Sequence, residues 1–273
     1  MLLDGLLALE LVEKTPENAY VNTPLAGSCL LPGAPLDQTH ILEHRANAWE
    51  AWTRLPEVLR TGRPVLAPGI SAEERRAFIH GMNDIARESA KALMAAVDLS
   101  SHRHLLDIGA GSGAYTAAAL CAHPGMRATV FDLPEVLPIT RECVAPSGCL
   151  DRVSFCGGDL TRDALGEGYD LILVSNVIHS FDWETNRVLV RKCHAALDPG
   201  GMLILKDFLR DPDRAGPAYG LLFALHMFLT TEAGDTYSVE DAESWTAEAG
   251  FAAGSCVELT PNSRLWMARK PRG

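Results

Sequence analysis

The chain has no run of lysines or arginines, and its 24 basic against 35 acidic residues leave a formal net charge of -11. Nucleic-acid binders present a basic face to the phosphate backbone, so this balance argues against DNA or RNA as a partner. The same field repels anionic membrane surfaces. Long apolar runs are missing too: no stretch approaches the roughly 18 residues that a membrane helix needs. The opening MLLDGLLALELVEK carries Asp4, Glu10 and Glu13, and lacks the basic start and small-residue cleavage site of a secretory signal. Among the 7 cysteines there is no CxxC pair. An odd number of dispersed thiols fits a reducing compartment better than a disulfide framework or a zinc site. His40 and His44 stand one helical turn apart, but the residues between them are not the zinc-protease pattern and no third ligand is evident. The expectation is a cytoplasmic chain with no metal.

What is present is ordinary globular material: 273 residues, 47% hydrophobic and 22% charged, enough for one substantial domain with a smaller appendage. Residues 1–100 read as mostly helical. Leu2 to Leu11 make a short apolar helix, and Glu13 to Thr23, with Pro16, Asn18 and Asn22, make a turn and a short extended pair. Helix, turn and strand in that order resemble the second half of a winged helix. After the Pro/Gly-rich stretch Leu31–Pro35, residues 37–60 carry one helical periodicity, and Ser71 followed by Glu74 is a capping box that opens a helix running to about Val97. From His102 short β-rich runs alternate with helical ones. Strands are expected at His104–Ile108, Arg127–Phe131, Val153–Phe155, Leu171–Val174 and Met202–Phe208, with helices near 114–122, 134–145 and 183–197. Such alternation means a parallel sheet covered on both faces. Asp198-Pro199-Gly200-Gly201 reads as a helix stop. The tail, Cys256–Leu259 and Leu265–Ala268 around Thr260-Pro261-Asn262-Ser263, reads as a hairpin that ends the sheet with an antiparallel strand. The division is set at 1–84 for a helical, partly winged-helix region that lids the substrate and dimerises, and 85–273 for the α/β domain.

The chemistry gathers at the strand ends. Asp107-Ile108-Gly109-Ala110-Gly111-Ser112-Gly113-Ala114 is a strand running into a glycine turn and a helix, where backbone can approach a ligand closely and free N–H groups face it. Gly109-x-Gly111-x-x-Ala114 equally satisfies a dinucleotide fingerprint, and a ligand-free tight turn would look the same. Asp132, in Phe131-Asp132-Leu133-Pro134, ends the second strand, where it could accept hydrogen bonds from both ribose hydroxyls of a nucleoside or merely cap the next helix. Gly158-Asp159-Leu160 ends the third strand: Asp159 could accept an adenine amino group and Leu160 cover the ring. Ser175-Asn176-Val177-Ile178-His179 ends the fourth, and Lys206-Asp207-Phe208 the fifth. Open α/β sheets bind ligands in one crevice at these ends, and the convergence of acids and a histidine there is the strong signal.

These strings, DIGAGSG, FDLPEV, GGDL, SNVIHSFDWE, LDPGGMLILKDF and the EAGF hairpin, resemble the small-molecule O-methyltransferase family that includes caffeate and acetylserotonin methyltransferases and many bacterial polyketide-tailoring enzymes of secondary metabolism. FDLP and the histidine near the end of strand four carry the likeness furthest, and it runs from residue 2 to residue 270. The resemblance implies a Rossmann-like class I methyltransferase sheet and S-adenosyl-L-methionine (SAM) as cofactor. It puts Gly109 and Gly111 at the methionine moiety, Asp132 at the ribose, and Asp159 and Leu160 at the adenine, with Asp107, Leu133 and Gly158 also among the cofactor-binding residues. Ser175 and Asn176 meet the amino acid end. His179 aligns with the general base and Asp207 with a Glu that orients it. Histidine has a reference pKa near 6.5, so it can take the proton of a phenolic hydroxyl as the O–C bond forms.

The sequence departs from the family in places. The usual His-Asp pair is His179-Ser180, with Asp182 nearby, and a second orienting Glu is replaced by Thr236. Family members carry further N-terminal helices that interlock as a homodimer, whereas Met1 falls inside that module, so dimerisation is left open. For the acceptor, a small molecule with an aromatic or polyketide-like hydroxyl, His226 and Met227 are expected on one side, with Met82, Trp49 and His44 on the other. Trp49 and Met82 could equally be core. Three readings compete: a SAM-binding hydroxylase, decarboxylase or cyclase; a non-enzymatic partner or regulator; and an NAD(P) oxidoreductase, which leaves the hairpin and the SNVIH segment unexplained.

Overall fold

The protein, seen in a computed structural model, is described over residues 1–34, 36–65, 71–213 and 216–273; Pro35 of the Leu31–Pro35 stretch lies outside the described residues. Helix α1 (Leu2–Ala8) leads into an antiparallel pair, β1 (Val12–Lys14) and β2 (Tyr20–Asn22), and then α2 (Pro24–Cys29). The single helix expected over 37–60 is two, α3 (Thr39–Thr53) and α4 (Leu55–Thr61). The break falls at Arg54 because Pro56 sits in the first turn of α4, where proline starts a helix readily but cannot continue one. Helix α5 (Ala72–Ala96) opens on the expected box: Ser71 Oγ accepts from Glu74 N–H at 3.1 Å and Glu74 Oε2 from Ser71 N–H at 2.7 Å. It runs unbroken through residues 84 and 85, so one helix spans that division.

The α/β part follows as β3 (His104–Ile108), α6 (Ala114–Ala122), β4 (Arg127–Asp132), α7 (Leu137–Val144), β5 (Val153–Gly157), β6 (Tyr169–Ser175), α8 (Trp183–Ala196), β7 (Leu197–Asp207), α9 (Ala218–Thr230), α10 (Val239–Ala249), β8 (Ser255–Thr260) and β9 (Ser263–Arg269). One seven-stranded sheet has the order β5-β4-β3-β6-β7-β9-β8, parallel from β5 to β7 and antiparallel at β9 and β8. The Asp198–Gly201 segment does not form a separate stop. Helix α8 already ends at Ala196, and the segment is the start of β7, tied to the chain's end by Gly200 N–H on Lys270 O at 2.9 Å.

Side chains alternate across the sheet as strand geometry requires. Leu106, Ile108, Ile172, Val174, Leu203 and Leu205 bury against α8 and α10 around Trp245. Leu105, Leu171, Leu173, Met202 and Ile204 bury on the other face, with Leu93 of α5 and Tyr115 and Leu120 of α6. With both faces covered, the strand ends are where polar groups can gather. The chain steps outward from β3 to β4 and β5, then returns past β3 to β6. That reversal opens the crevice between neighbouring carboxyl ends. In contrast, α1 has no buried residue.

Candidate active site

Gly109 and Gly111 leave β3 at φ +64° and +55°, and a Cβ on Gly109 would stand 2.6 Å from Val177 Cγ2. Such left-handed turns with no room for a side chain fall to glycine. A Cβ on Gly111 would make an ordinary contact with Ile79 Cδ1, at 3.7 Å, so it is the positive φ that calls for glycine there. Asp107 is sealed under the turn. It accepts from Thr116 Oγ1 at 2.6 Å, which ties β3 to α6, and burial pushes its carboxyl up to about 7. It is therefore a brace for the loop rather than an exposed ligand contact. Asp132 accepts from Gly111 N–H at 2.8 Å and from Leu133 N–H at 2.7 Å, and burial still drives its pKa upward against those two donors. The acid thus holds the glycine turn in shape while standing in the crevice; Leu133 beside it is exposed.

At the third strand end, Asp159 is turned largely onto its own loop. Its Oδ1 takes the Thr161 hydroxyl at 2.7 Å and N–H at 2.9 Å, and these bonds hold it below the usual carboxylate range. Gly158 is glycine because a Cβ would lie 2.6 Å from Phe131 Cζ. Leu160 is partly buried against the core of the sheet. At the fourth, Ser175 Oγ is buried with no hydrogen-bond partner. Asn176 has φ +54°, and its Oδ1 accepts from Lys206 Nζ at 2.9 Å. A non-glycine residue held at positive φ beside an unpaired hydroxyl is strain of the kind that gathers at functional sites. The glycine turn, the unpartnered Ser175 hydroxyl and Asp132 fit a nucleoside carrying a polar amino acid tail.

His179 follows on a 3₁₀ turn, Ile178–Ser180. Its Nδ1 lies 2.8 Å from Asp207 Oδ1, and both residues are buried. Burial alone would raise Asp207, but the facing imidazole, the Phe208 N–H bond and Lys206 together hold it below the ordinary carboxylate range. A carboxylate on Nδ1 fixes the proton there and leaves the Nε2 lone pair free. Asp182 is not part of this pair: it caps α8, accepting from Thr185 N–H at 2.7 Å. Thr236 Oγ1 donates to Gly220 O at 3.1 Å and its own carbonyl takes Arg210 Nε at 2.7 Å, so it locks the α9 segment to β7's extension. The segment reaches the histidine through backbone instead, since a Cβ on Gly234 would stand 2.4 Å from His179 O.

Aromatic rings wall the space beside the base. Phe223 of α9 meets His179 edge-on at 4.9 Å, Phe208 at 4.6 Å and His226 at 5.8 Å, and Tyr219 lies 4.9 Å from Phe208. His226 lies parallel to Trp52 of α3, 6.1 Å away, and its Nδ1 is buried without a partner. Burial first, then His44 and His179, lower the His226 pKa. Met227 is buried one position further along α9, and Met82 is half-buried on α5. Trp49 departs from the expectation. It is 75% exposed, belonging neither to this wall nor to the core: it shares a face of α3 with Trp52, three residues on, but sits at the flank of that face, about 60° round the helix from the side that meets His226. Phe208, Tyr219, Phe223, Trp52 and Gly234 were missed as site residues. The close spacing of Tyr219 and Phe223 on α9 is a signal for those two alone; Trp52, Phe208 and Gly234 carry none. A cavity of about 340 Å³ on another side of α9, between Gly62, Pro64 and the 231–235 segment, is lined by neither His179 nor His226.

The zinc-like His40/His44 pair does not converge. His40 Nδ1 faces Asp84 Oδ2 at 3.4 Å, while His44 packs edge-on against Phe78 at 5.1 Å. Asp37 completes a cluster with His40 and Asp84, but its oxygens already accept from Gly33 N–H and from the Thr39 N–H and hydroxyl.

An O-methyltransferase domain matches residues 61–252. The chain is 32% identical over 280 residues to the tetracenomycin polyketide synthesis 8-O-methyl transferase of Streptomyces glaucescens, covering 99% of this chain and 82% of that one. It is 33% identical over 288 residues to bovine (Bos taurus) acetylserotonin O-methyltransferase, with the same coverage of both chains, 99% and 82%. The crystal structure of human N-acetylserotonin methyltransferase in complex with SAM superposes with a TM-score of 0.87 at 26% identity, over 99% of this chain and 82% of that one. The expected sheet, glycine turn and cofactor are thereby accounted for together, and the chain belongs to the O-methyltransferase family and is a SAM-dependent methyltransferase.

Proposed function

We propose that this chain methylates a hydroxyl oxygen on a small, planar aromatic acceptor of the polyketide kind, with His179 as general base and Asp207 as its positioning residue. The observation that carries the reading is the buried His179–Asp207 pair at 2.8 Å, set beside a wall of aromatic rings. Bound SAM supplies a methyl carbon already activated by its sulfonium. The crevice residues Gly109, Gly111, Asp132, Ser175 and Asn176 hold and orient it, while Asp107 braces the turn. His179 Nε2 takes the acceptor's hydroxyl proton, and Asp207 stabilises the positive imidazolium that results. Phe223, Phe208 and Trp52 exclude water and stack the acceptor's ring. The unpaired Nδ1 of His226 is available to a second polar group on it. Two relatives whose names specify O-methyl transfer, one in tetracenomycin polyketide synthesis and one on acetylserotonin, support the oxygen acceptor and the polyketide class.

Homodimerisation and a helical lid built from residues 1–84 belong to the same reading. They are supported by the exposed Leu2, Leu3, Leu7 and Leu9 around α1 and by the contact between α3 and α9. Among the described residues no helix is long and apolar enough to cross a membrane.

His179→Ala should lower kcat by about two orders of magnitude or more, since a positioned base contributes typically ~10²–10⁴-fold. Its affinity for SAM, measured by calorimetry, should stay within about threefold of the wild type. Unchanged turnover would remove His179 as the base.

A further inference from the structure

Methyl transfer makes no use of a pair of sulfurs on the far end of α6. Cys121, next to last in that helix, is exposed; Cys149, in the turn before β5, is buried; their Sγ atoms stand 3.8 Å apart. Arg152 places Nη2 3.1 Å from Cys149 Sγ. The guanidinium is held there by carbonyls, Leu120 O at 2.9 Å on the same nitrogen and His123 O at 3.1 Å and Met126 O at 3.0 Å on the other. A fixed positive charge thus faces one sulfur of a contact pair whose other member meets solvent. The remaining cysteines offer nothing comparable among the described residues: Cys143 faces His80 and Cys193 is sealed in the core.

We propose that Cys121 and Cys149 form a dithiol site that hydrogen peroxide converts to a reversible disulfide, a modification site separate from the methyl-transfer crevice. Cys121, as thiolate, attacks one peroxide oxygen; the S–O bond forms, the O–O bond breaks and hydroxide leaves. Cys149, having given up its proton, then attacks the Cys121 sulfur. The S–S bond forms, the S–O bond breaks and a second hydroxide leaves. The two hydroxides take up the two thiol protons as water. The thiols lose two electrons and the peroxide gains them. The sulfurs need close only to the bonded distance of about 2.05 Å, a movement within the reach of side-chain rotation.

The test titrates hydrogen peroxide onto the reduced full chain, alkylates remaining thiols under denaturing conditions, and maps peptides without reductant. At the lowest effective dose the seven thiols should fall to five. One linked species should join the Cys121 and Cys149 peptides, two hydrogens lighter than the free pair, and dithiothreitol should restore it. The link should be lost in Cys121→Ser, a change at an exposed position that the fold tolerates, and in Cys149→Ser. Links between other cysteines, sulfinic acid at Cys121 with Cys149 still alkylated, or no loss of thiols would each overturn the proposal.

Discussion

Asp107 and Asp207 are both sealed from solvent, yet their neighbours drive them in opposite directions. Asp107 has one hydroxyl donor, Thr116, and the Asp132 charge nearby, so burial wins and its carboxyl keeps a proton up to about 7. Asp207 has an imidazole, a backbone N–H and Lys206, so these win and it stays ionised. The difference has a consequence for stability. An unfolded aspartate ionises near 3.8, while the folded Asp107 holds its proton to about 7. Between those values the folded chain binds the extra proton, so this residue's contribution to stability is present at acid pH and is lost as pH rises from about 4 to about 7. Asp107→Asn should remove that slope. Denaturant unfolding of the cofactor-free chain at pH 5 and pH 8 should show the wild type losing more stability than the variant, by a difference on the order of 2 kcal/mol. Equal losses would mean that Asp107 is ionised in the fold.

The helices α3 and α9 come from distant parts of the sequence and meet over the base, where Trp52 lies against His226. Their pairing sets which of two neighbouring tryptophans matters. Trp52→Ala should raise KM for an aromatic acceptor by about tenfold, the loss of one stacked ring. Trp49→Ala should change it by less than about twofold. Steady-state kinetics on both variants decides, and equal effects would place the acceptor elsewhere. This is also where the sequence ran out. The positions of Asp132, Asp207 and His179 were legible because the first two end strands and the third follows one within four residues, and a short continuous apolar run marks each strand. Trp49 was misassigned because a helix phase read from sequence does not say which flank of the apolar stripe faces a second helix. The four rings and the glycine around His179 were invisible for a related reason: their meeting depends on how α9 docks, not on any local pattern.

At the scale of the whole molecule, the strands of the sheet were legible in number and order along the chain, with β7 alone starting five residues early, since both faces are buried and alternate runs of strand and helix leave few other arrangements. The antiparallel finish followed from one hairpin at the tail, while the place of β9 between β7 and β8 is a finding of the structure. The misreadings lay where proline and glycine act by position, as at Pro56, which begins α4 instead of sitting inside one long helix. The architecture brings four strand ends to one crevice and sets the histidine at its rim. The most direct test of that arrangement is the mass of the product formed when the purified chain is given SAM and a polyhydroxylated aromatic acceptor. The account predicts an acceptor heavier by one methyl, carried on a phenolic oxygen and absent with His179→Ala. An acceptor recovered unmethylated or changed in some other way, from a chain that demonstrably binds SAM, would contradict it.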